Sequence, residues 1–319
     1  MELFAQLKTL LAPPALDEGL RLAIQRGVSI VDPLIKAVPN YEQKLAASAR
    51  HAMDYCARLT ADIPGPIDIN GRVFVESPLV HAFFSRAEQI SEMLGRSQAV
   101  REFLAAAGAA QGEEFFALLG LRRHEKTVMG AGLQGDQVRR EVPQTLLYFS
   151  DHTLLALSAE LAATRNSVGA LAFDSLAKTF AGELAQLRYE RQQLHTQWEL
   201  ARAAKGEAGA GSSTLRELER RMAEVNEQLM PERVLQAYLA FLASPADYLR
   251  LEPVTLTVDR LGVLLNPAVE AAGAADTISF PELMARDRRR WILTLVRIRR
   301  EEVVKALQAF EEAHRYLLI

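Results

Sequence analysis

A chain of 319 residues, 49% apolar and 24% charged, carries enough core-forming side chains for one or two folded domains, which sets aside a disordered chain. Its net charge of −3 supplies no global pull toward nucleic acid or an anionic membrane. One cysteine, Cys56, excludes an intramolecular disulfide and fits a reducing compartment.

The start MELFAQLKTLLAPP carries Glu2 and no sustained apolar segment, so no signal peptide is expected. Leu79–Phe84 and Leu154–Leu157 are too short to span a bilayer, and longer apolar stretches are broken by charge. The expected location is therefore cytoplasmic, with no membrane partner.

In chain order, Ala15–Val38 has helical spacing through Leu16, Leu20, Ile24, Val28, Val31 and Leu34, weakened by Gly27 and Pro33. Pro39-Asn40 breaks it before an amphipathic helix at Tyr41–Ala61. After the IPGP turn at Ile63–Pro66, Asn70-Gly71 sits between Ile67–Ile69 and Arg72–Val75, a pattern that predicts a small β-hairpin. Ser77-Pro78 opens the next helix, Gly95 closes it, and Gln98–Ala107 forms another. Alanines and glycines up to Gly112 read as a connector.

The pattern then turns to strand. Leu121–Met129 and Val138–Phe149 read as a hairpin around Gly130–Asp136, with Pro143 placing the second arm at an edge. A short helix is expected near His152–Ala163. From Phe173 to Ala201 apolar residues recur in steps of four and three, interrupted only by Arg191. After Gly206–Ser213 the spacing resumes at Leu215, Leu218, Met222, Val225 and Leu229. Two such stripes joined by a glycine-rich break predict an antiparallel coiled-coil hairpin. Pro231 restarts a helix that Ser244-Pro245 ends. Val254–Val258 alternates as a strand, and Asp259–Gly262 turns into Val263–Leu265. Ile278–Met284 and Trp291–Ile298 form a second hairpin, and Glu301–Tyr316 closes the chain as helix.

These elements predict an α+β fold: a helical region over 1–112 with a small β-hairpin, then 113–319 with a small, mostly antiparallel sheet. The coiled-coil hairpin at about 168–243 is inserted between the sheet segments.

Five patterns bear on chemistry. Gly130-Ala131-Gly132-Leu133-Gln134-Gly135 matches G-x-G-x-x-G, but Pro143 and a second strand follow where a dinucleotide fold needs a helix, so it reads as a turn. Ser150-Asp151-His152 lies side by side, whereas a triad converges in space, so Ser150 or Asp151 reads as a helix N-cap. The six histidines show no i, i+4 pair, and a lone Cys56 in a helix reads as a small buried residue; neither metal nor cofactor is expected. Arg286, Arg288, Arg289, Arg290, Arg297, Arg299 and Arg300 cluster around Trp291, and guanidinium groups pair with phosphates. Trp291 itself reads as core, and arginines flanking a buried strand also serve as a solvated rim. Within the heptad stripe, Arg191 is placed to reach Glu224 or Glu227 on the other arm, and Trp198 near the tip suits a docking anchor, though hairpin packing is the preferred account of the stripe.

The expected function is a non-enzymatic interaction or scaffold module, binding a protein partner or itself through the hairpin at Arg191 and Trp198. Nucleic-acid binding through the arginine cluster is the alternative. An enzyme with an unrecognised pocket ranks below both.

Overall fold

The structure, a computed structural model, describes residues 16–106, 112–134, 137–208, 212–265, 275–286 and 290–317. It is α+β, with a mostly antiparallel six-stranded sheet and a long helical hairpin between sheet segments. Two compact units share the chain: the first holds the described residues through Cys56 with Ala170–Tyr248, the second Ala57–Gly169 and the residues from Leu249 onward. Neither unit is a consecutive stretch.

The first unit opens with α1 (Glu18–Val31), whose N-cap Asp17 accepts from Leu20 N–H at 3.2 Å. The long helix expected to Val38 stops at Asp32, because a residue preceding proline is pushed to extended backbone. Asp32 then caps a 3-10 turn at Pro33–Ala37, accepting from Leu34 N–H at 2.9 Å. Its other carboxylate oxygen accepts from Arg188 at 2.7 Å. Next come α2 (Tyr41–Ala61), continuing past Cys56, and the part of α7 (Leu161–Ala208) from Ala170. The unit is completed by α8 (Ser212–Gln228) and α9 (Pro231–Ala243). Its core includes Val28, Ile35, Leu45, Phe173, Phe180, Tyr238 and Leu242.

In the second unit the strands are β1 (Ile67–Asp68), β2 (Glu114–Gln134), β3 (Gln137–Ser158), β4 (Leu249–Asp259), β5 (Ala275–Ala285) and β6 (Arg290–Arg299). The order is β3-β2-β6-β5-β4, with β1 parallel to β6. Val263 bridges Leu146 on β3 and Leu264 bridges Val258 on β4, so a short rung joins the two outer strands. The helices α3 (Gly71–Glu76), α4 (Pro78–Phe83), α5 (Glu88–Arg96), α6 (Gln98–Ala105) and α10 (Arg300–Leu317) belong to this unit. Phe83, Phe84, Ile90 and Leu94 share a core with Leu119, Phe149, Phe280 and Val296. Gly95 permits close approach of α5 to α10, since a Cβ there would sit 2.7 Å from the Ala306 carbonyl oxygen.

Three expectations are overturned in this unit, the first being that the helix from Ser77-Pro78 to Gly95 is two, α4 and α5, parted over 84–87. Asn70-Gly71 does not turn a hairpin: the Asn70 side chain accepts from the Arg72 and Val73 amides and caps α3, while Ile67–Asp68 pairs with β6. A helix N-cap uses the same residue types as a tight turn. Nor do Ser150 and Asp151 cap a helix, because β3 runs on to Ser158 and α7 starts at Leu161. Three register shifts against β2 each set one β2 residue opposite two of β3, with Glu141, Asp151 and Ala156 at φ 66°, 55° and 54°. These bulges bend the strand and break its alternation. Gly130 and Gly132 lie within the paired strand, opposite Val142 and Arg139; Gly135 falls outside the described residues.

Candidate functional site in the helical hairpin

The heptad stripe does two different jobs along α7. Phe173, Ala177, Phe180 and Leu184 are buried in the first unit's core. Past Arg191, the apolar positions meet only the facing arm: Leu194, Leu218 and Val225 form a separate cluster, joined by Trp198, Ala201, Met222 and Leu229. Between Arg191 and Ala203, only Leu194, Trp198 and Ala201 lose appreciable solvent, about one residue per helical turn. Polar contacts tie the arms: Trp198 Nε1–H donates to Glu219 Oε1 at 3.2 Å, and Arg221 lies 3.3 Å from Glu190. Arg202 stacks its guanidinium 5.2 Å from the Trp198 ring centroid. Trp198 is thus partly consumed within the hairpin.

Arg191 does not take the partner expected for it. Glu224 is held by Arg220 and Glu227 by Arg233, while Arg188 is bound to Asp32. Arg191 is exposed and makes no ion pair among the described residues. Glu224 is captured by Arg220 at i, i+4 on its own helix, and Glu227 by Arg233 six residues on, across the turn from α8 to α9.

Two grooves flank the arms. One, about 710 Å³, is lined by Ala185, Arg188, Tyr189, Arg191, Gln192, His195, Thr196, Met222 and Asn226, with no Asp or Glu. The other, about 670 Å³, has Phe180, Leu184 and Leu187 along it with Glu183, Glu224, Glu227 and Arg233. The grooves are opposite in charge character. Sequence reasoning passed over Tyr189, Gln192, His195 and Asn226. The available signal was a stripe, Ala185, Arg188, Gln192 and His195, in steps of three and four beside the apolar one and free of acids.

The arginine cluster is dispersed by the strand that carries it. Arg290 begins β6, 3.7 Å from the buried Glu282, whose other oxygen lies 3.6 Å from Arg123. Arg297, about 23 Å farther at strand rise, forks onto Asp68 at 2.6 and 2.9 Å and approaches Glu114 at 3.7 Å. That fork holds the Asp68 carboxyl below the usual carboxylate range, against an opposing push from burial. Arg299 ends β6, and the Arg300 amide donates to the Glu113 carbonyl at 2.8 Å. Arg286 is exposed at the end of β5, and Arg288 and Arg289 lie outside the described residues.

Catalytic candidates diverge. Ser150 Oγ lies 2.8 Å from His124 Nε2, Asp151 points to Arg122 at 3.4 Å, and His152 Nε2–H donates to the Phe83 carbonyl at 2.7 Å. No carboxylate hydrogen-bonds His124 among the described residues, so the Ser150–His124 pair lacks an orienting acid. Among those residues no group of three potential metal ligands occurs, and no helix is long and apolar enough to cross a membrane. Cys56 is buried, which pushes its thiol up to about 12.

No protein-family model, curated protein or solved structure matches this chain in comparison.

Proposed function

We propose that this protein is an interaction module that presents the α7–α8 hairpin to a protein partner. The observation that supports the reading is the solvation of the hairpin beyond Arg188. It zips by a narrow seam and leaves Tyr189 and Leu200 exposed at 61% and 67%. Large aromatic and aliphatic side chains standing in water on a helical surface suit partner contact, because they contribute area at small entropic cost. The seam spacing of the distal arms makes a short antiparallel coiled coil the natural description of this part. Nucleic-acid binding through Arg286–Arg300 gains nothing from an arrangement in which Arg290 and Arg297 sit far apart, each beside carboxylates.

The test compares the intact chain with a variant lacking residues 190–225, which takes Arg191, His195 and Met222 out of the groove, a photo-crosslinking residue replacing Tyr189 in both. Saturable crosslinking to one protein species, lost in the shortened variant at matched helicity, supports the reading. Equal recovery from both removes the hairpin from it.

A further inference from the structure

We propose that the acid-free groove of the hairpin receives an acidic helical segment of a partner protein, its carboxylates meeting Arg191. This inference deepens the interaction reading and rests on it. A chain with 40 acidic residues and 37 basic ones has lined a groove of about 710 Å³ with two arginines, a histidine and no acid. Internal neutralisation reaches Arg188, through Asp32, and stops short of Arg191. The nearby acids Glu190, Glu224, Glu227 and Asp32 are engaged by Arg221, Arg220, Arg233 and Arg188. Arg191 therefore keeps its five N–H donors for a ligand from outside, and a guanidinium fork matches a carboxylate in two-point geometry.

The dimensions fit a helix. From Ala185 to Thr196 the lining runs eleven residue steps, about 17 Å at helical rise, or three turns of an opposing helix. Met222 and the exposed Tyr189 ring offer that helix an apolar stripe, while Arg191 and His195 flank it with positive or polar edges. His195 already lies 3.5 Å from Glu199, so Arg191 carries the charge recognition. The other groove, where Glu183, Glu224 and Glu227 stand beside Arg233 and that arginine is held by Glu227, offers such a ligand no comparable guanidinium, which assigns the occupant to one side of the hairpin.

The experiment measures fluorescence anisotropy of a labelled synthetic amphipathic peptide, with Glu and Leu at helical spacing, against the full chain. A peptide with Lys at every Glu position and a single-stranded oligonucleotide serve as comparison probes. The intact protein is expected to bind the Glu peptide and not the Lys peptide. Arg191→Glu is expected to weaken Glu-peptide binding at least tenfold and to create binding of the Lys peptide. Because Arg191 is exposed and unpaired, the substitution leaves the fold in place, which circular dichroism verifies. Undetectable Glu-peptide binding at millimolar concentration, equal affinity in Arg191→Glu, or stronger binding of the oligonucleotide overturns the proposal. If Arg191→Glu changes nothing while deletion of residues 190–225 abolishes crosslinking to the partner, this inference fails and the interaction reading stands. If that deletion changes nothing, the interaction reading fails first.

Discussion

Tyr238 offers the sharpest test of the packing in the first unit. Its ring is 1% exposed, stacked 5.1 Å from Phe180, and its hydroxyl has no hydrogen-bond partner among the described residues. A buried hydroxyl left unpaired costs about 1–3 kcal/mol of desolvation, whereas its ring contacts survive replacement by phenylalanine. Tyr238→Phe is therefore expected to raise unfolding stability by about 1 kcal/mol, against the usual loss on core substitution. The neighbouring Gly27 sharpens the argument, since a Cβ there would stand 2.8 Å from the Tyr238 hydroxyl and 3.3 Å from Phe173 Cε1.

Gly27→Ala gains about 1 kcal/mol of helix propensity but meets an overpacking cost of about 1–3 kcal/mol, for a net loss alone. In the Tyr238→Phe background the closest atom is gone, so the loss shrinks and the two substitutions couple by about 1 kcal/mol. Urea unfolding followed by circular dichroism measures all four corners of the cycle. Burial first, then the charge of Asp174, holds the Tyr238 phenol above its ordinary value. Its folded form binds the proton more tightly than the unfolded form. This contribution is complete below about pH 10 and fades as pH rises beyond it. Tyr238→Phe removes that alkaline loss. Destabilisation by 1 kcal/mol or more in Tyr238→Phe would refute the reasoning, because it would mean the hydroxyl is paired.

Three further outcomes follow from single residues. Cys56, 0% exposed with its thiol raised by burial, is expected to resist a disulfide reagent at pH 8 in the native protein and to react fully in urea; native-state labelling at the denatured rate contradicts this. His152 is lowered by burial, opposed by its hydrogen bond to Phe83 and by Asp151. The unfolded state thus holds more protons just below about pH 6.5, and stability falls as pH drops through that window. In His152→Phe the slope of the urea midpoint between pH 7 and 5 is expected to flatten. Ala156 at φ 54° carries a Cβ in left-handed backbone, so Ala156→Gly should gain about 1 kcal/mol and Ala156→Val should lose more than that, read by the same midpoints.

Periodic elements were readable wherever one neighbour spacing persisted. Tyr41–Ala61, the two arms of the hairpin and the β5–β6 pairing around Arg286 all follow from periods of 3.6 or 2. Reading failed where one local chemistry serves two structures. Asn70 has the side chain of a turn and of a cap, and pairing of Ile67–Asp68 with β6, more than two hundred residues away, decided for the cap. Ser150-Asp151-His152 resembles a helix start, yet the β2 ladder on Gly120 and Arg122 kept it within β3, with Asp151 in a bulge.

The candidate groove shows the same division. The position of Arg191 in the stripe is a matter of counting along the chain, and any helix would face it toward the other arm. Which acid it meets is a competition among side chains brought together by folding, and Arg220 and Arg233 took the two expected for it. Periodicity belongs to adjacent residues and is written in their order. Pairing belongs to distances between remote ones, which exist only once the arms have closed.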